Sequence, residues 1–261
     1  MRAIVLGTGT STGVPVIGCR CSVCTSPDPR DRRTRCSTLI KVEDSSSPSG
    51  QRNILIDCSP DFRQQMLSIE FESLDAIIIT HEHYDHVGGI DDIRPYSVFG
   101  DITVYAEPYC AQHLMERIPY CFPPKDKRYP GVPGIELCEI DPKKNFSIGR
   151  VNITPIRVLH GKLPILGYRI GNFAYITDMH TIPEDQINKL QGIKTLIVNG
   201  LHRKPHYSHQ TIEQAIEFAQ RLGMPETYLI HMAHSILPHA IEEAHLPEHV
   251  HLAYDGMELE L

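Results

Sequence analysis

The chain has 261 residues, 41% of them hydrophobic and 22% charged, the composition of a soluble globular protein that can bury one large core or two small ones. Its formal net charge of −7 argues against broad binding to DNA, RNA or anionic membranes. No apolar run approaches the roughly 20 residues that cross a bilayer, and the apolar start is too short for a signal peptide. A cytoplasmic protein is therefore expected, whose eight Cys are thiols or metal ligands rather than disulfides.

Taken in chain order, Arg2 to Leu6 reads as a strand and Gly7 to Gly13 as a flexible turn after it. The glycines alone are a weak phosphate signal, because the Lys and spacing of a P-loop are missing. Cys19-Arg-Cys21-Ser-Val-Cys24 follows, and three thiols in six residues cannot all pair with one another. In a reducing compartment they suit a closed Zn²⁺ site, which needs a fourth ligand. His234 is the best candidate, since it would tie this early loop to the end of the chain's last strand. The basic stretch Arg30, Arg32, Arg33 and Arg35 is expected to be solvated.

Ser37 to Val42 and Asn53 to Ile56 suggest a hairpin, with Asp44 to Gly50 between them as a mobile low-complexity linker. Phe62 to Ile69 suits a short helix, and Asp75 to Thr80 a buried strand. Directly after it come His81-Glu-His83-Tyr-Asp85-His86, three imidazoles and a carboxylate in six residues. Such a group is costly to hold together unless a cation sits between its members. Imidazole nitrogen with carboxylate oxygen is the donor set expected for Zn²⁺ or a similar metal. A polar surface loop rich in His is the plainer alternative, and the density and spacing speak against it.

Ile102 to Tyr105 reads as a strand, and Pro108 opens a helix to about Ile118. Residues 119–134 hold five Pro and two Gly with Lys125, Lys127 and Arg128, a loop that either overhangs a pocket or is inert. Strands follow near 151–158, 166–170 and 173–177. Thr181 to Glu184 has the capping-box pattern of a helix start. Thr195 to Val198 is another strand. Thr211 to Leu222 is the clearest helix, with Ile212, Ala215, Ile216, Ala219 and Leu222 on one face and Gly223 and Pro225 to end it. Tyr228 to Ile230 is expected to be the last core strand.

Four lone polar residues stand at the ends of apolar strands: Asp57, His160, Asp178 and His231. Singly, Asp57 could start a turn, Asp178 could cap a helix, and the two His could be satisfied rim residues. Cys36, Cys58, Cys110, Cys121 and Cys138 are assigned to packing. With strands in both halves, helices between them, no internal repeat and no composition break, the pattern is layered α/β, read as a single domain over 1–261.

The run His-x-His-x-Asp-His after an apolar strand resembles the signature of the metallo-β-lactamase superfamily, which implies a four-layer αββα sandwich with metals at its rim. The resemblance implies that His81, His83 and His160 hold one metal, that Asp85, His86 and His231 hold the other, and that Asp178 bridges. Asp57 is similar to the buried aspartate that orients a ligating His in that superfamily. The Cys-x-Cys-x-x-Cys cluster with one His resembles the PhnP-type phosphodiesterases, which act on cyclic phosphodiesters of ribose. It implies a structural zinc on Cys19, Cys21, Cys24 and His234. His209-Gln-Thr211 is similar to the His-x-Thr element of the phosphodiesterase branch, to which tRNase Z also belongs. His209 is thereby a general acid and phosphate contact, with His206 as a rival.

The function so implied is a metal-dependent phosphodiesterase, a phosphoric diester hydrolase, that cleaves a small or cyclic phosphodiester by attack of a metal-bridging hydroxide. Asp85 and His209 are its candidate catalytic residues. Zn²⁺ is expected in the structural and binuclear sites, with Mn²⁺ an option in the latter. The expected partner is a small-molecule phosphodiester, with no membrane and no nucleic acid, and a homodimer is allowed. Three alternatives stand beside it. A tRNase Z-like ribonuclease needs a basic surface or a long arm. An iron-dependent oxidoreductase of the same fold resembles His-x-Glu-x-Asp-His, where this chain has His83. A non-catalytic zinc-binding module would fill its metals without turnover.

Overall fold

The computed structural model describes residues 1–123 and 125–261, and the apolar runs become strands of two seven-stranded sheets. The first sheet takes β1 (Arg2–Gly7), β2 (Ser37–Glu43), β3 (Gln51–Ile56), β4 (Ala76–Ile78), β5 (Ile102–Ala106) and β6 (Ile135–Glu139) side by side in chain order. The second does the same with β7 (Phe146–Ile148), β8 (Val151–His160), β9 (Leu163–Ile170), β10 (Phe173–Ile176), β11 (Thr195–Asn199), β12 (Glu226–Ile230) and β13 (Val250–Leu252). The final strand, β14 (Met257–Glu260), returns to the free edge of β1. Each sheet starts with three antiparallel pairings and ends with three parallel ones. The two halves thus share one plan, a duplication that the residues themselves do not display.

The strands are apolar along both faces because both faces are covered. In β1, Ala3 and Val5 enter the layer between the sheets, where Ile54, Ile78, Tyr168 and Phe173 meet them. Ile4 and Leu6 point the other way, toward α1 (Phe62–Met66), α2 (Tyr84–Val87) and α3 (Pro108–Arg117), represented by Phe62, Val87 and Leu114. The outer face of the second sheet is covered by α4 (Glu184–Ile187) and α5 (Ile212–Arg221) through Ile187, Ile212, Ala215 and Phe218. A last short helix, α6 (His239–Glu243), lies against β13. This is the four-layer αββα sandwich.

α5 carries the expected capping box: Gln214 N donates to Thr211 Oγ1 at 3.2 Å, and Thr211 N donates to Gln214 Oε1 at 2.8 Å. The box expected at Thr181 does not form. Thr181 is instead bridged to Leu159, its carbonyl accepting from Leu159 N at 2.8 Å, so α4 starts later, after Pro183. α1 stops at Met66 rather than Ile69, because the Ser68 hydroxyl takes the Gln65 carbonyl at 2.7 Å.

Three other expectations are corrected. The basic stretch is not solvated throughout: Arg33 is 2% exposed and donates to Thr8 Oγ1 at 2.9 Å and to the Ala253 carbonyl at 2.6 Å. Arg35 is paired with Asp61. Asp44 to Gly50 is a pinned turn rather than a loose linker, since buried Asp44 accepts from Ser46 N, Arg52 Nε and Arg150 N at 2.8–3.1 Å. Tyr228 to Ile230 is not the last strand, because β13 and β14 follow; in β14 only Leu259 is buried between Glu258 and Glu260. The 119–134 loop lines a separate cavity through Phe122, Pro123 and Arg128, against β6. Pro124 within that loop lies outside the described residues.

Candidate metal centre and catalytic cavity

Where the strands of the two sheets end, the chain turns sharply. Asp57 after β3, Asp178 after β10 and His231 after β12 all have left-handed backbone, with φ of 59°, 55° and 57°. Non-glycine residues hold that conformation at a cost, and such strain gathers at functional sites. The turns aim Asp178 and His231 at one point and set Asp57 behind it, against Thr80 and His86. Between them, the loop after β4 supplies His81 and His83, and α2 presents Asp85 and His86. The motif helix sits close to the preceding loop because residue 89 is glycine: a Cβ there would lie 2.1 Å from the Ser59 carbonyl oxygen.

The donor atoms fall into two adjoining groups. One nitrogen each of His81, His83 and His160 lies within 4.8 Å of the others, and so do the donors of Asp85, His86, Asp178 and His231. Asp178 stands between the groups. Its Oδ1 is 3.3 Å from His86 Nε2, while its Oδ2 is 3.2 Å from His231 Nε2 and 3.9 Å from His81 Nε2. Asp85 Oδ2 lies 3.3 Å from His86 Nε2 and 3.5 Å from His231 Nε2.

The rings are oriented from behind. His86 Nδ1 donates to Asp57 Oδ2 at 2.7 Å, and His160 Nδ1 donates to the Ser208 carbonyl at 2.9 Å. His81 Nδ1 donates to Thr80 Oγ1 at 3.0 Å, and that hydroxyl in turn donates to Asp57. Each bond fixes the tautomer that leaves Nε2 bare toward the centre.

Burial opposes ionisation of Asp178, yet His231 and His86 hold its carboxyl well below the usual range. Burial likewise opposes charge on His86, but Asp178, Asp85 and Asp57 raise its pKa well above that of a free imidazole. His86 Nε2 and His231 Nε2 are buried without a hydrogen-bond partner. Unpartnered buried nitrogens facing ionised carboxylates are costly in an apolar interior and are satisfied by a cation. The donor set therefore fits a pair of metal ions.

His209 joins this centre, with Nδ1 3.9 Å from Asp178 Oδ2, buried and without a hydrogen-bond partner. Burial lowers its pKa to about 3. His206, its rival, lies one ring away at 5.1 Å between centroids and is only half-buried. Separately, His234 Nδ1 lies 3.2, 3.5 and 3.6 Å from the Sγ atoms of Cys19, Cys21 and Cys24. Such spacings suit one tetrahedral ion with metal–ligand bonds of about 2.0–2.3 Å. The backbone N–H of Cys24 lowers the Cys21 thiol to about 6.

Every site residue expected from the sequence is thus brought to one of these two clusters. The sequence reading did not find the rest of the cavity, which includes Thr10, Ser11 and Thr12 on one wall and His202, Tyr207 and Ser208 on the other. The signals for it were the weak one of the Gly7 to Gly13 turn and the density of His between 202 and 209.

The family model of the beta-lactamase superfamily domain matches residues 52–232. A solved diphosphatase of the PhnP family is 36% identical, covers 99% of this chain and 97% of its own, and superposes with a TM-score of 0.88. Zn²⁺-bound PqqB from Methylobacterium extorquens (22% identity, TM-score 0.76, all of both chains) and the human short-form tRNase Z (18%, 0.68, 100% and 99%) share the fold. By sequence, a protein named octanoyltransferase from Porphyromonas gingivalis is 48% identical over 99% of this chain, which spans only 51% of that protein's length. Across the matched motif and both sheets, the chain belongs to the metallo-β-lactamase superfamily.

Proposed function

We propose that the chain is a metal-dependent phosphodiesterase of the PhnP type, acting on a small or cyclic phosphodiester or a related diphosphate. One observation carries the reading: a buried imidazole with a free nitrogen, His209, faces the same cavity as seven converging metal donors.

Bound paired divalent cations would supply positive charge for the phosphate oxygens and a water acidic enough to be ionised near neutral pH. His81, His83 and His160 would hold one ion and Asp85, His86 and His231 the other, with Asp178 between. Zinc suits both this nitrogen–oxygen set and the Cys19, Cys21, Cys24 and His234 cluster, and Mn²⁺ the former. The residues do the rest. Asp57 and Ser208 hold their imidazoles in one tautomer. His209 hands a proton to the departing oxygen. Its ring is neutral at pH 7 in the free site, and an arriving phosphate anion raises its pKa.

The similarity to a diphosphatase of the PhnP family supports phosphorus chemistry. Hydrolysis of bis(4-nitrophenyl) phosphate by Zn²⁺- or Mn²⁺-loaded protein tests it, with a large loss expected in Asp85→Ala and a smaller one in His209→Ala, because a nitrophenolate scarcely needs a proton. No turnover with either metal overturns it.

A second reading, hydrolysis of an acyl ester or thioester, is favoured only by the name of the octanoyltransferase. That name describes a protein about twice as long, and we read it as belonging to the half this chain does not span. Turnover of octanoyl thioesters without phosphodiester turnover would favour it instead.

A further inference from the structure

The cleft over the metal donors has two lobes, of about 480 and 670 Å³. They meet at four shared residues: His83, His160, Tyr207 and Ser208. His209 lines only the first lobe, whereas Lys162, Leu163 and His180 line only the second. A leaving group protonated by His209 must occupy the first lobe. The ester group that stays on phosphorus then extends into the second.

Tyr207 stands on the divide, and its surroundings are unusual. The backbone beneath it is pinned: the Ser208 carbonyl accepts from His160 Nδ1 at 2.9 Å and from Gly161 N at 3.2 Å, and Gln210 N donates to the Met179 carbonyl at 2.9 Å. Yet Tyr207 is 83% exposed. Its neighbour in the cleft is His206, at 4.6 Å between centroids and 34° between planes. A single exposed aromatic is ordinary on a protein surface. This one rests on a rigid main chain beside two metal donors, and lines both lobes.

We propose that Tyr207 is a specificity-determining residue, a platform on which a planar ring of the substrate stacks in the second lobe. The substrate class is a phosphodiester whose retained ester carries a nucleobase or other aromatic ring, and the proposal rests on the phosphodiesterase reading of the same site. Leu163 and His180 wall the lobe with apolar and planar surface, and Lys162 supplies its one formal cation. A ring stacked on an aromatic side chain strengthens binding by about tenfold. Because the ring does not react, that contribution belongs to binding and appears in KM.

Two esters with the same leaving group isolate the effect: 4-nitrophenyl thymidine 5′-phosphate and methyl 4-nitrophenyl phosphate. The metal-loaded wild type is expected to prefer the thymidine ester about tenfold in kcat/KM, through KM. In Tyr207→Ala that ratio falls toward one, while Tyr207→Phe and Tyr207→Trp keep it. Calorimetry with thymidine 5′-monophosphate provides a readout that needs no turnover, and Tyr207→Ala should bind it about tenfold more weakly. If neither ester is cleaved but this affinity still falls, the phosphodiesterase reading fails and the ring subsite stands. A wild type without preference for the thymidine ester, or equal affinity in wild type and Tyr207→Ala, overturns the subsite.

Discussion

The Nδ1–H of His86 donates to Oδ2 of Asp57 across 2.7 Å, and both residues are completely buried. Asp57 also accepts from Thr80 N at 2.8 Å, so it clamps the start of the metal-donor loop to the end of β3. Burial raises its pKa, which the His86 charge opposes. Asp57→Asn keeps the size and tolerates the left-handed backbone, but removes the charge behind His86. Metal affinity at the binuclear centre should fall about 10- to 100-fold, measured by chelator competition. Unchanged affinity would show that Asp57 serves only the turn.

His209 is the group whose role depends on the leaving oxygen. An alkoxide needs a proton and a 4-nitrophenolate scarcely does. His209→Ala should therefore lose about 10²–10⁴ in kcat on alkyl phosphodiesters, and clearly less on bis(4-nitrophenyl) phosphate. Equal losses on both would assign His209 to phosphate binding.

Cys21 belongs to the thiol cluster, held to His234 across 213 residues of chain. Zinc there ties the loop after β1 to the segment after β12, and structural zinc can contribute on the order of 10 kcal/mol of apparent folding free energy. Cys21→Ser should lower the melting temperature and the metal content from three ions per chain to two. Elemental analysis with thermal melting checks this, and an unaltered melting temperature would refute it.

The same cluster predicts a pH window. The Cys24 N–H favours the Cys21 thiolate and lowers its pKa from 9.0 to about 6. A depressed acid contributes stability above its unfolded pKa and loses it as pH falls through the folded one. Zinc retention and melting temperature should therefore be highest above pH 9 and decline as pH falls from there to about 6. Titration with a zinc-sensitive dye shows whether release follows this course.

Gly89 allows the motif helix to approach the Ser59 carbonyl, where a Cβ would clash at 2.1 Å. Gly89→Ala should destabilise the fold by about 1–3 kcal/mol and weaken metal binding together with it. Denaturant unfolding and metal affinity measured side by side would detect one loss without the other.

Much of this was legible in the residues. The strands announced themselves because parallel strands covered on both faces are apolar throughout, and the density of His81, His83, Asp85 and His86 has no cheap explanation without a cation. Lone polar residues at strand ends singled out Asp57, His160, Asp178 and His231, since the apolar runs before them leave few other reasons for a His or Asp there. The clearest helix was right to its capping box, which is written locally in Thr211 and Gln214.

What escaped depends on partners distant in sequence. Arg33 looks like any surface arginine until the Ala253 carbonyl, 220 residues away, is found against it. Thr181 carries a capping pattern that a bridge to Leu159 overrides. The short edge strand β14 alternates charged and apolar residues too briefly to be distinguished from a tail. The sequence by itself determined which side chains can bind metal and that strand ends carry them. Only the tertiary structure decided that the ends of two sheets face one point, and that Tyr207 lines both lobes of the cleft above it while His209 lines one. Ligand chemistry belongs to single residues, whereas convergence and cavity shape belong to packing between segments the chain order keeps far apart.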